Sequence, residues 1–92
     1  MLLSHEQIHE QLKDLSGWKY EEGKIRKTYH LSSFSSASQA ISKIAILVEQ
    51  ANHHPEVSIR DHSDLKVSLT TFSEGGVTDK DIKLVEEIEK AI

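Results

Sequence analysis

The chain is 92 residues long, carries a net charge of −4 and contains no cysteine. This length predicts a single domain over residues 1–92, with one core and no deep pocket. The lack of thiols excludes disulfides and cysteine-based metal sites. The weakly acidic composition argues against nucleic-acid binding, and no apolar run is long enough to cross a membrane. Because the first residues lack the pattern of a signal peptide, we expect a cytoplasmic location.

The hydrophobic pattern predicts seven elements in the order α-β-β-α-β-β-α. They are a helix over 5–15, strands over 18–21 and 25–31, a helix from 35 or 36 to 53, strands over 57–60 and 65–70, and a last helix after 78. Half-buried strands joined by short turns indicate one four-stranded antiparallel sheet. Three amphipathic helices indicate cover on one face of that sheet. The expected fold class is therefore a two-layer α+β domain.

Local signals predict where several of these elements begin or lie. Ser4 and Gln7 have the spacing of a capping box, and so do Thr78 and Asp81. The capping role is a sufficient structural explanation for Asp81. Lys27 interrupts the apolar side of the second strand, which suggests that this strand lies at an edge of the sheet.

The sequence His53-His54-Pro55 follows the strongest helical pattern in the chain. Proline disfavours helical geometry for the residue before it, so the two imidazole rings should diverge. Glu49 lies one helical turn before His53, where a carboxylate would orient the ring and favour imidazolium. Histidine near neutral pH can act as a general acid or base, so these residues are candidates for catalysis.

Two other interpretations of the histidine pair stay open. Surface histidines near helix ends are common, and a Glu-x-x-x-His pair occurs on many helices. A zinc site would need a third protein ligand, which the sequence does not place, so we predict no metal.

A second informative segment runs from Thr70 to Gly76, at the end of the last strand. It combines hydroxyl groups with two glycines that permit close approach of a ligand to the backbone. Such a segment could receive a polar heterocycle. It could equally be an ordinary connection between a strand and a helix.

Together these segments resemble the pterin-4a-carbinolamine dehydratases, also called 4a-hydroxytetrahydrobiopterin dehydratases. The resemblance spans nearly the whole chain. The residues that carry it are Glu49-x-x-x-His53-His54-Pro55, Leu69-Thr70-Thr71, Gly75-Gly76-Val77-Thr78 and Asp81, with Gly17-Trp18 and Phe34 earlier in the chain.

The resemblance implies an activity and a set of partners. Members dehydrate 4a-hydroxytetrahydropterin to quinonoid dihydropterin during tetrahydropterin recycling, without a metal or another cofactor. They form homodimers or homotetramers through the sheet and the second helix. An aromatic amino acid hydroxylase, which produces the substrate, is a further expected partner, whereas nucleic acid and membranes are not.

The resemblance also implies site residues. His53 would be the general acid and base, with Glu49 behind it and His54 against the pterin. The expected substrate-binding residues are Asn52, His53, His54, Pro55, Thr70, Thr71, Phe72 and Ser73.

One departure from the family pattern concerns the chemistry directly. A third histidine usually follows the Thr-Thr pair, but Phe72 stands there in this chain. Phenylalanine cannot transfer a proton, although it can stack on a pterin ring. Two functions therefore remain: a dehydratase of reduced activity, and a non-catalytic relative that binds a pterin or a protein. A purely structural oligomerisation module is a third reading.

Overall fold

The computed structural model describes every residue from Met1 to Ile92. Its elements are α1 (His5–Leu12), β1 (Lys19–Glu21), β2 (Lys24–His30), α2 (Phe34–Ala51), β3 (Glu56–Arg60), β4 (Asp64–Leu69) and α3 (Asp79–Ala91), with a short 3₁₀ turn at Phe72–Glu74. The predicted order of elements is confirmed. None of the helices combines the length and apolar character needed to span a membrane.

The four strands form one antiparallel sheet in the order β1-β2-β4-β3. In the central pair, Ile25 of β2 lies opposite Leu69 of β4. Side chains alternate across a strand, so Leu65, Val67 and Leu69 share one face and are buried. The three helices cover that face, and the buried cluster joins residues from all three helices to the sheet. The predicted α+β class is therefore confirmed.

The end of α2 differs from its predicted position and sets the direction of the next residues. The helix stops at Ala51, two residues before the predicted end. Asn52 adopts left-handed geometry, with φ of 52°, and its N–H donates to the carbonyl of Val48. Asparagine tolerates this conformation better than most residues, which makes it an effective helix terminator. His53 consequently lies in the connection to β3, outside the helix.

Two further helix boundaries were predicted wrongly. The helix α1 ends at Leu12, because the N–H of Leu15 turns back to the Leu12 carbonyl at 2.9 Å. At the start of α2, Ser33 is the capping residue, and its hydroxyl accepts from the N–H of Ser36 at 3.0 Å. The sequence pattern predicted a start at residue 35 or 36. Sequence alone does not choose among neighbouring serines, since each can cap a helix.

The predicted edge position of β2 is wrong, because this strand lies between β1 and β4. The charge of Lys27 is accommodated by tertiary partners. Its ammonium group lies 3.0 Å from Oε2 of Glu89 on α3 and 2.8 Å from the carbonyl oxygen of Ser16. A paired and hydrogen-bonded lysine can remain on the covered side of a central strand.

Candidate active site

The ring of His53 is enclosed where the α2–β3 connection meets the beginning of α3. Its side chain is 13% exposed. Nε2 of the ring is hydrogen-bonded to Oδ1 of Asp81. An ionised carboxylate can only accept, so Nε2 carries the proton in this pair. The other ring nitrogen, Nδ1, is then the one that can exchange a proton with a substrate.

Asp81 is completely buried, and its second oxygen is also hydrogen-bonded. Oδ2 accepts from the hydroxyl of Thr71 at 2.8 Å and from the N–H of Thr78 at 2.9 Å. The hydroxyls of Thr71 and Thr78 lie 2.8 Å apart. A buried carboxylate is costly unless it is hydrogen-bonded in this way, so the network fixes Asp81 and thereby the ring of His53.

The predicted capping box of α3 is therefore present, but it explains only half of what Asp81 does. Its Oδ2 caps the helix and its Oδ1 holds His53. The helical pattern alone could not reveal the second contact, because the two residues are 28 positions apart in sequence. The available signal was the family motif, which ends on Asp81.

Glu49 does not lie behind His53, as the resemblance had implied. Its side chain is exposed and forms no hydrogen bond within the chain. The carboxylate that contacts the ring of His53 is that of Asp81. The left-handed residue at position 52 explains the difference, because it removes His53 from the helical face on which Glu49 lies.

The residues after β4 are divided between buried and exposed positions. Thr70 and Thr71 are buried, and the Thr70 hydroxyl donates to the carbonyl oxygen of Gly23 at 3.1 Å. Phe72 is 74% exposed, with the ammonium group of Lys24 at 5.7 Å from its ring centre. Ser73 is also exposed.

The predicted site residues of the α2–β3 connection also differ in exposure. Asn52 and His54 are exposed, while Pro55 is half-buried.

A cleft of about 430 Å³ lies between α2 and α3 and includes His53 in its wall. Its lining residues are Leu47, Gln50, Ala51, His53, Lys80, Lys83, Leu84 and Glu87. This volume is within the range of small-ligand sites. Another cavity, of about 290 Å³, lies on the uncovered face of the sheet and contains none of the predicted site residues.

The order of elements, and a mostly buried histidine in the wall of a small cleft, agree with the comparison to known families. The model of the pterin 4 alpha carbinolamine dehydratase family matches residues 1–91. The chain belongs to this family. A relative in Roseiflexus sp. (strain RS-1), named for pterin-4-alpha-carbinolamine dehydratase, is 43% identical over 96% of this chain and 94% of its own length. A relative of the same name in Sulfolobus acidocaldarius is 33% identical over 98% of both chains.

Solved structures show the same fold. A protein described as a transcriptional coactivator/pterin dehydratase from Brucella melitensis superposes with a TM-score of 0.91 and 29% identity, over 99% of this chain and 98% of its own. A pterin dehydratase-like protein, described as a RuBisCO assembly factor in the alpha-carboxysome, has a TM-score of 0.64 at 11% identity. That match covers 80% of this chain and 84% of the other, and at this identity the likeness concerns the fold alone.

Proposed function

We propose that this chain dehydrates 4a-hydroxytetrahydropterin to quinonoid dihydropterin, with His53 as the general acid and base. The observation that supports this most directly is the bond from Nε2 of His53 to the buried carboxylate of Asp81. A histidine held in this way has a fixed tautomer and orientation, as proton transfer requires. Family membership supports the class of substrate.

The reaction needs one proton delivered and one removed. Protonated Nδ1 of His53 donates to the 4a-hydroxyl group, the C4a–O bond breaks, and water leaves. The neutral ring nitrogen then accepts the proton of the adjacent N5. His53 ends in its starting state, so no cofactor is consumed. Asp81 stabilises the imidazolium form during each cycle.

The exposed residues around His53 are proposed to bind the pterin. His54 and Asn52 would contact its polar edge, beside Pro55. Phe72 and Ser73 are the first residues of a 3₁₀ turn, so their N–H groups have no partner within that turn. In this proposal these two groups donate to the pterin.

Three further residues have more limited roles in this proposal. Thr70 and Thr71 would form the buried floor of the site and would not bond the substrate, since their hydroxyls are already hydrogen-bonded within the protein. Glu49, exposed near the end of α2, would act on the substrate and not through His53.

We also propose a physiological setting for this reaction. The enzyme would recycle tetrahydropterin in the cytoplasm, as a homodimer or homotetramer, beside an aromatic amino acid hydroxylase that supplies its substrate. The reaction class fits this setting, because such hydroxylases release the 4a-hydroxy compound.

A dehydration assay tests the activity. The 4a-hydroxytetrahydropterin is generated in situ by a hydroxylase, and formation of quinonoid dihydropterin is followed with no added protein, with the wild type and with His53→Ala. We expect acceleration by the wild type and a loss of ~10²–10⁴-fold in His53→Ala. A wild-type rate equal to the uncatalysed rate would exclude the enzyme.

One observation favours a second function, that of a catalytically weakened relative that binds a pterin or a protein. The exposed Phe72 occupies the position at which the family usually has a third histidine. Under this alternative the wild type binds a reduced pterin in calorimetry without accelerating dehydration, and Phe72→His restores turnover.

A further inference from the structure

Two lysines line the cleft that contains His53. Lys80 and Lys83 lie on α3 and face the end of α2 across this cleft. Neither ammonium group lies within 4.0 Å of a carboxylate oxygen, although the chain as a whole is acidic. Lys19, Lys43 and Lys66 also lack such a partner, but none of these three lines the cleft. The cleft beside the proposed catalytic residue is therefore a place where two cations are available to a ligand.

The lining of the cleft carries two lysines and one glutamate, so positive charge is in excess there. Glu87 also lines the cleft, but its carboxylate lies 3.8 Å from the ammonium of Lys90. Asp81 is fully buried and is engaged by His53, Thr71 and Thr78. The remaining wall consists of Leu47, Gln50, Ala51 and Leu84, which are uncharged.

We infer that the substrate carries an anionic group on its side chain and that Lys80 and Lys83 bind it. This inference rests on the proposed function, because it places the pterin ring at His53. The side chain at C6 of the ring then extends along the cleft between α2 and α3. A phosphate monoester or a carboxylate at its end would meet both ammonium groups, whereas a hydroxyl group would gain little from them.

The test is a comparison of three 7,8-dihydropterins whose side chains end in a hydroxyl, a carboxylate or a phosphate monoester. Their dissociation constants are measured by calorimetry at low salt. We expect at least one anionic compound to bind about tenfold more tightly than the hydroxyl compound, and the advantage to shrink as salt is raised. The carboxylate and phosphate arms identify which anion the site prefers.

The variants separate a specific site from general attraction. In Lys80→Gln/Lys83→Gln the anionic advantage should disappear, while binding of the hydroxyl compound is unchanged. The matched control is Lys19→Gln/Lys43→Gln, which removes the same charge from two exposed lysines outside the cleft and should keep the advantage. Glycerol phosphate, which lacks the pterin, should bind much more weakly than the pterin phosphate.

The outcomes distinguish this inference from the proposed function. Equal binding of all three compounds overturns the inference, even if the 4a-hydroxytetrahydropterin of the dehydration assay is turned over. Tight binding of glycerol phosphate also overturns it, since the site would then recognise any anion. A lysine-dependent advantage without turnover supports the inference as a statement about binding and rejects the dehydratase.

Discussion

The pair of His53 and Asp81 gives the sharpest prediction for a single residue. Asp81→Asn keeps the size of the side chain but removes the charge that stabilises imidazolium and fixes its tautomer. We expect turnover to fall by up to about 100-fold, which is less than the loss in His53→Ala. In ¹⁵N spectra of the imidazole, the wild type should show protonated Nε2, and the variant a mixture of tautomers.

Asp79→Asn is the matched control for this experiment. Asp79 lies in the same first turn of α3, but its carboxylate contacts the N-terminal amine of Met1 and not His53. Both variants remove one negative charge from this helix end, where such a charge is stabilising. If Asp79→Asn reduced turnover as much as Asp81→Asn, the positioning role of Asp81 would be refuted.

Phe72 should affect substrate binding more than the chemical step. Its exposed ring is available to stack on a pterin, an interaction of about 0.5–1.5 kcal/mol for aromatic pairs. We therefore expect Phe72→Ala to raise KM by about two- to tenfold with little change in kcat. Steady-state kinetics with a tetrahydropterin series would show this. A fall in kcat at constant KM would instead give Phe72 a part in the reaction.

Which site residues can be predicted from sequence depends on how far apart the interacting groups lie. His53 was recognisable because a proline and a helix end stand beside it. Its partner Asp81 was not recognisable. A helical pattern relates only residues three or four positions apart, and it therefore favours Glu49 as the partner. Asp81 comes to His53 only when α2 and α3 pack together, and this packing is a property of the tertiary fold.

At the level of elements, the same division between local and distant causes holds. Both capping boxes were predictable, because all of their atoms lie within four residues. The central position of β2 was not, because the partner that accommodates Lys27 in the interior is Glu89, 62 residues away. A charged side chain was taken as evidence for an edge, but its partner on α3 makes the interior position stable.

This link between β2 and α3 should make stability depend on pH. Burial raises the pKa of Glu89, but hydrogen bonds from Tyr29 and Lys27 outweigh it, so the pKa is below its ordinary value of 4.5. A carboxyl group with a depressed pKa stabilises the fold above its unfolded pKa and loses this contribution as the pH falls through the folded one. We expect Glu89→Gln to lower stability near pH 7 and to flatten the loss below about pH 4.5.

Urea unfolding between pH 7 and pH 3 measures this effect. Glu86→Gln is the control, since Glu86 is exposed on the same helix and forms no ion pair. The control should retain the acid-dependent loss of the wild type. An unchanged slope in Glu89→Gln would mean that the ion pair contributes nothing measurable to folding.

Tyr29 of the same cluster predicts the alkaline side of the stability curve. Burial and the neighbouring carboxylate of Glu89 raise the pKa of its phenol. A group with a raised pKa contributes stability below its unfolded pKa, about 10, and loses it as the pH rises towards the folded value. Tyr29→Phe should therefore unfold with a shallower dependence on pH above about 10. A slope equal to that of the wild type would contradict this.

At the scale of the whole molecule, α2 presents apolar side chains that the fold leaves uncovered. Ile46 in the middle of the helix is 61% exposed, and Phe34 at its start is 60% exposed. Contiguous exposed apolar patches mark surfaces that another chain covers. Within the proposed homodimer or homotetramer, α2 would be such a surface.

Ile46→Glu tests this assembly, because it would place an unpaired charge within the contact and leave the monomer core untouched. We expect light scattering to give a dimer or tetramer for the wild type and a smaller species for Ile46→Glu. Gln39→Glu, which adds the same charge at another exposed position of α2, separates a specific contact from general repulsion. A monomeric wild type would reject the assembly. A monomeric but active Ile46→Glu would show that the cleft between α2 and α3 is complete within one chain.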